Sequence, residues 1–145
     1  MIAFADASAA VKLYADEDDA AVVREMQGLV VAGLTRVEVP AALWRKQRIG
    51  DLTVEQAAVL VEDFEADWFG TRSEPPRFVA LTTTAGILDD AARLCSVHGL
   101  RAYDAVQLAS ALAAREAVPA CSAIAVFDRS LRTAASREGL TVIPD

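Results

Sequence analysis

Apolar residues recur along this chain in two rhythms. Short apolar runs of four or five residues stop at a charged residue, a glycine or a turn. Between them lie longer stretches whose apolar positions return every three or four residues. The first rhythm suits strands buried on both faces, and the second suits amphipathic helices. The predicted strands are Ile2–Ala5, Leu29–Ala32, Phe78–Leu81, Ala123–Phe127 and Leu140–Ile143. The predicted helices are a short piece from Ala7 to Tyr14, then Ala20 to about Gln27 with Gly28 as its stop, and Thr35 to about Ile49 with Gly50 as its stop. Thr53-Val54-Glu55-Gln56 is a capping-box pattern that opens a helix running to about Phe69. Further helices run from Thr84 to His98 before Gly99, from Ala102 to Glu116, and from Ser130 to Glu138 before Gly139. Strands alternating with helices predict an α/β fold, with a central, mostly parallel sheet flanked by helices. Only Gly50–Leu52 separates two of these helices, so they form a hairpin expected to project from the body. In its second helix Val54, Ala57, Ala58, Val61, Phe64 and Trp68 share one face, away from Glu55, Glu62, Glu65 and Asp67.

Composition narrows the class. A chain of 145 residues with no repeat and no linker suits one domain over 1–145. Hydrophobic residues make up 54%, which excludes a disordered chain. No apolar run approaches the ~18 residues of a membrane helix, and the amino terminus lacks the basic region and cleavage site of a signal peptide. The expectation is a cytoplasmic protein with no membrane partner. Cys95 and Cys121 sit in apolar surroundings and read as buried free thiols. His98, the sole histidine, precedes Gly99 and reads as a favourable charge at a helix end. One His and two scattered Cys make neither a zinc site nor a Ser-His-Asp triad. The net charge of -7 argues against a protein that coats nucleic acid. It does not argue against a nuclease, because carboxylates that hold cations make their own negative balance.

Most of the 21 acids fall where water is expected, but four do not. Asp6 and Asp128 each terminate an apolar strand. Asp104 lies in the first turn of an otherwise mostly apolar helix. Glu38 sits between Val37 and Val39 at another helix start. Each has a structural explanation. Asp6 and Asp128 can cap the helices that follow them. Asp104 suits the positive end of its helix. Thr35-x-x-Glu38 matches a capping box, although Pro40 removes a donor nearby. Arg36, Arg101 and Arg129 can pair with any of them. Together these explanations weaken, because strand-end acids of one parallel sheet share an edge, where the following helices also begin.

The segments Asp6-Ala7-Ser8, Thr35-Arg36-Val37-Glu38, Tyr103-Asp104-Ala105-Val106-Gln107-Leu108-Ala109 and Phe127-Asp128-Arg129-Ser130-Leu131 resemble the four acidic motifs of PIN-domain ribonucleases. Among these, the chain is most similar to the small VapC toxins of bacterial toxin–antitoxin pairs. The resemblance covers essentially the whole chain, as one PIN domain. Val126 departs from it, where family members often carry Thr or Ser two residues before the fourth acid. The resemblance implies RNA as substrate, a homodimer, and a cognate antitoxin that wraps the toxin and blocks its acidic site. Leu43, Trp44, Val61, Phe64, Trp68 and Phe69 of the hairpin are large enough to offer such a partner a groove, or else face the protein's own core.

Four converging carboxylates repel one another unless hard divalent cations relieve them, which points to Mg²⁺ or Mn²⁺. The expected chemistry is metal-assisted hydrolysis of a phosphodiester. Asp6 and Asp104 are the expected direct ligands. Glu38 and Asp128 hold a second ion or act through water. Ser8, Arg36 and Arg101, with Arg45, Lys46 and Arg48, are candidate contacts to phosphate or to a metal-bound water. A haloacid-dehalogenase-like phosphatase would need an acid where Ser8 stands. A phospho-acceptor receiver domain would need a late lysine, and the lysines are Lys12 and Lys46. A catalytically silent PIN-like module that binds protein is the remaining alternative.

Overall fold

A computed structural model describes residues Met1–Asp145. In chain order the elements are β1 (Ile2–Ala5), α1 (Ala7–Val11), α2 (Ala20–Arg24), β2 (Gly28–Ala32), α3 (Thr35–Arg48), α4 (Val54–Phe69), β3 (Phe78–Leu81), α5 (Ala85–His98), α6 (Ala102–Ala117), β4 (Ala123–Ala125), α7 (Arg129–Arg137) and β5 (Thr141–Ile143). The strands form one sheet in the order β3-β2-β1-β4-β5, and every pairing is parallel. The fold is therefore α/β with an all-parallel sheet and helices on both faces, as in PIN-like domains. No helix is long and apolar enough to cross a membrane.

The short apolar runs are buried on both sides because each strand alternates between two cores. Phe4, Val30, Ala32, Ile124 and Val126 pack with α5, α6 and α7. Ala5, Leu29, Val31, Phe78 and Ala125 pack with α1, α3 and α4. Cys121 lies buried in the first core and Cys95 is half-buried against it, both as free thiols.

Several boundaries differ from the sequence reading. The second helix stops at Arg24, and Gly28 opens β2 instead of capping that helix. Gly28 pairs with Ile2, and a Cβ there would meet Ile2 Cγ1 at 3.3 Å, so a close strand approach asks for the glycine. The first helix ends at Val11, where Lys12 turns toward the run of acids Asp16-Glu17-Asp18-Asp19. Its ammonium reaches Glu17 at 3.2 Å and the Asp18 carbonyl at 2.7 Å. The fourth strand ends at Ala125, short of the predicted Phe127. Val126 still donates its N–H to Ile143, but its carbonyl takes a bond from the Arg132 guanidinium, which turns the chain into α7.

The hairpin forms as predicted. Thr53 and Gln56 make the reciprocal capping box of α4. Its base is docked, with Val39, Leu43 and Phe64 fully buried in the second core and the Phe64 ring set against Tyr14, Trp68 and Phe78. Its far end, Ile49 to Asp51, is exposed, and so is Val54, which begins α4 beside it. Of the large apolar groups named as candidates for a partner groove, Leu43 and Phe64 belong to the core, Trp44, Val61 and Trp68 are half-buried, and Phe69 is exposed.

Candidate active site

All-parallel pairing puts the carboxyl ends of the strands on one edge of the sheet, where β1 delivers Asp6 and β4 is followed by Asp128. Asp6 is 4% exposed and its N–H bonds to the Ala125 carbonyl at the end of β4. Its carboxylate caps α1 by accepting from the Ala9 N–H at 2.9 Å, and it also accepts the Ser8 hydroxyl at 2.7 Å. Burial outweighs both bonds and, with the charges of Glu38 and Asp104, pushes the acid up to about 7. Asp6 is thus both a helix cap and a perturbed acid.

Glu38 does not close a capping box. Leu34 is the N-cap of α3, without a side-chain cap bond, and Thr35 is fully buried one position inside the helix. Glu38 instead accepts a 2.9 Å bond from Gln107 Nε2, which also donates to Thr35 Oγ1 at 3.2 Å. Burial raises the Glu38 carboxyl, Gln107 lowers it, and the charge of Asp104 raises it. Asp104, in the first turn of α6, is raised by burial and by Asp128, and lowered by Arg101, whose Nε stands 3.7 Å from its Oδ2. Asp128 is the N-cap of α7, accepting from the Leu131 N–H at 2.9 Å.

These couplings order the four acids. Asp6, Glu38 and Asp104 share one field, and Asp104 links them to Asp128. No three side chains close into a ready-made metal cage. The donor chemistry nevertheless fits a hard divalent cation, which prefers oxygen ligands and, as Mg²⁺, keeps several waters beside one or two carboxylates. Three neighbouring acids held above their usual range are what a cation at this edge would relieve.

The basic candidates divide. Arg101 is exposed beside Asp104. Arg36 turns toward the hairpin, with its guanidinium 3.3 Å from Glu65 and over the Phe69 ring. Lys46 is tied to Glu17 at 2.5 Å, whereas Arg45 and Arg48 are exposed on α3. Burial alone would raise Glu17, but bonds from Lys46 and Lys12 hold it below the usual range. Ser8 is exposed and spends its hydroxyl on Asp6. His98 stands apart at the end of α5, its side chain largely covered and Nε2 2.8 Å from Glu138. Gln107 carried no role in the sequence reading. A polar residue in the apolar stretch Ala105–Ala114 was the available signal.

An all-parallel α/β domain with one buried and three half-buried acids, Asp6 with Glu38, Asp104 and Asp128, has the build of a PIN-like domain. No family model matches the chain. Two curated relatives are each 36% identical over 147 aligned positions, spanning 99% of this chain and 95% of the relative. They are Ribonuclease VapC45 of Mycobacterium tuberculosis strain CDC 1551 / Oshkosh and Ribonuclease VapC49 of Mycobacterium tuberculosis strain ATCC 25618 / H37Rv. The chain belongs to the VapC family of PIN-domain ribonucleases.

Proposed function

We propose that the protein is a divalent-cation-dependent endoribonuclease, the toxin of a toxin–antitoxin pair, hydrolysing RNA phosphodiester bonds at the Asp6 edge. The observation that carries this reading is the run of coupled acids Asp6, Glu38 and Asp104 in a chain related to named ribonucleases. Asp6 and Asp104 would hold Mg²⁺ or Mn²⁺, with Glu38 and Asp128 on a second ion or acting through water. Bound there, the cation supplies Lewis acidity and a lowered pKa for a water nucleophile. The chain supplies position. β1 and β4 fix Asp6 through a backbone bond, and Ser8 orients its carboxylate. Arg101, exposed beside Asp104, is the best-sited cation for an RNA phosphate, and exposed Tyr103 next to it offers a face for an unpaired base. Ser8 contributes by way of Asp6, and Arg36 has Glu65 to leave before it can meet a phosphate.

Family membership further supports a cognate antitoxin as partner, a homodimer as the assembly, and the cytoplasm as the location. The deciding experiment is cleavage of single-stranded RNA by purified protein with Mg²⁺ or Mn²⁺, compared with EDTA and with Asp6→Asn. Cleavage is expected only for the wild type with cation. Cleavage that survives both controls overturns the metal-dependent reading. No cleavage of any RNA, together with tight binding of a protein partner, favours the silent binding module.

A further inference from the structure

Gln107 is an unusual residue for its place. It is 2% exposed on α6, whose other buried residues are Ala105, Leu108, Ala109, Ala111, Ala114 and Ser110, the last bonding its own helix at the Val106 carbonyl. Its Nε2 makes two hydrogen bonds to α3, at 2.9 Å to Glu38 and 3.2 Å to Thr35. Its Oε1 is buried with no partner at all. A buried carbonyl without a donor destabilises a fold, and an apolar side chain of similar volume would avoid that. Core packing alone therefore does not account for a glutamine here.

What the amide does accomplish is local and directional. Glu38 sits on α3 and Asp104 on α6, three residues before Gln107. The amide is the hydrogen bond that ties the acid of one helix to the helix that carries the other. We propose that Gln107 is a positioning residue, fixing the Glu38 carboxylate relative to the helix that carries Asp104, so that Glu38 can take its place in the divalent-cation site. This rests on the metal-dependent reading above. Hydrogen-bond partners of metal-ligating carboxylates set ligand orientation, and losing one typically costs roughly 10- to 100-fold in metal affinity.

The test is a double-mutant cycle read by Mn²⁺ binding, using calorimetry and the paramagnetic signal of free Mn²⁺. Wild type, Gln107→Met, Glu38→Gln and the double variant are compared as full-length protein, with thermal melting as the check on folding. Gln107→Met is expected to fold, melting somewhat below the wild type because Thr35 and Glu38 lose their donor, and to bind Mn²⁺ roughly 10- to 100-fold more weakly. The double variant is expected to bind no more weakly than Glu38→Gln alone, because Gln107 acts through Glu38. Equal Mn²⁺ affinity in wild type and Gln107→Met overturns the proposal, and so do additive losses in the double variant. If wild type binds no Mn²⁺, the metal-dependent reading fails and this inference fails with it. Should Gln107→Met not fold, Gln107→Asn, whose amide is too short to reach Glu38, takes its place in the same cycle. Thr35→Val, which removes the other acceptor, is expected to change Mn²⁺ affinity by less than about threefold. A loss as large as that of Gln107→Met would make the amide a brace between helices and overturn the proposal.

Discussion

The chain makes the same local construction twice. At β1–Asp6–α1 and again at β4–Asp128–α7, a buried apolar strand leads to an aspartate that caps the next helix, directly after β1 and two residues later, past Val126 and Phe127, after β4. The cap bonds match, each running from the third residue on at 2.9 Å. Their surroundings do not. β1 is the middle strand of the sheet, and Asp6 is covered until it is 4% exposed. β4 is next to the edge strand, and Asp128 is half-buried. Asp6 shares the field of Glu38 and Asp104, whereas Asp128 acts on Asp104 alone among the other three acids. An aspartate at a strand end is thus a cap wherever it falls. Burial at the centre of the sheet makes Asp6 an acid held above its usual range as well.

The largest effect expected from this contrast is on catalysis by Asp6→Asn. Asparagine caps as well as aspartate but cannot replace a charged ligand, so RNA cleavage should fall by about a thousandfold, the scale of several kcal/mol of lost transition-state stabilisation. Asp128→Asn keeps its cap and disturbs only the outer acid, so its loss should be smaller, about tenfold. Cleavage rates at saturating Mn²⁺ compare the two directly, and equal losses would erase the distinction between them.

Stability should separate the same pair. Asp6 holds its proton up to about 7 in the folded protein, against 3.8 as an isolated side chain. Between those values the folded state binds more protons than the unfolded one, so stability without metal falls as pH rises through that window. Melting curves from pH 4 to pH 8 should show this decline in the wild type and a shallower one in Asp6→Asn, where Glu38 and Asp104 still contribute to it. Added Mn²⁺ should offset the decline above about pH 7, because cation binding favours the deprotonated carboxylates. Asp128→Asn should leave the slope in place.

Smaller effects probe single hydrogen bonds. The Ser8 hydroxyl holds the Asp6 carboxyl lower than burial alone would, so Ser8→Ala should move the midpoint of metal-dependent activity to higher pH. An unmoved pH–rate profile would mean that the hydroxyl is idle. Asp128→Ala removes one helix cap and should cost about 1 kcal/mol of stability by denaturant titration.

Much of the architecture was legible because it is local. Runs such as Leu29–Ala32, buried on both faces, cannot be amphipathic surface strands, and Thr53 with Gln56 announces its helix by reciprocal capping. The four acids stood out for a related reason, since charges set among core residues need a tertiary explanation. Thr35-x-x-Glu38 fits a capping box only as a pattern of spacing, and here both side chains turn to Gln107 on a helix far along the chain. Arg36 looked free for phosphate because nothing in its neighbours in sequence foretells Glu65 and Phe69 on α4.

By itself, the sequence determined the element order, the parallel α/β class and the acids worth asking about. These follow from apolar periodicity and from the cost of burying charge, which each segment carries within itself. Only the tertiary structure decided which acid is deepest, which neighbours share its field, and that a buried glutamine ties Glu38 to the Asp104 helix. Burial, field and long-range hydrogen bonds depend on what lies across the sheet edge, and residues far apart in the chain meet there only once it has folded.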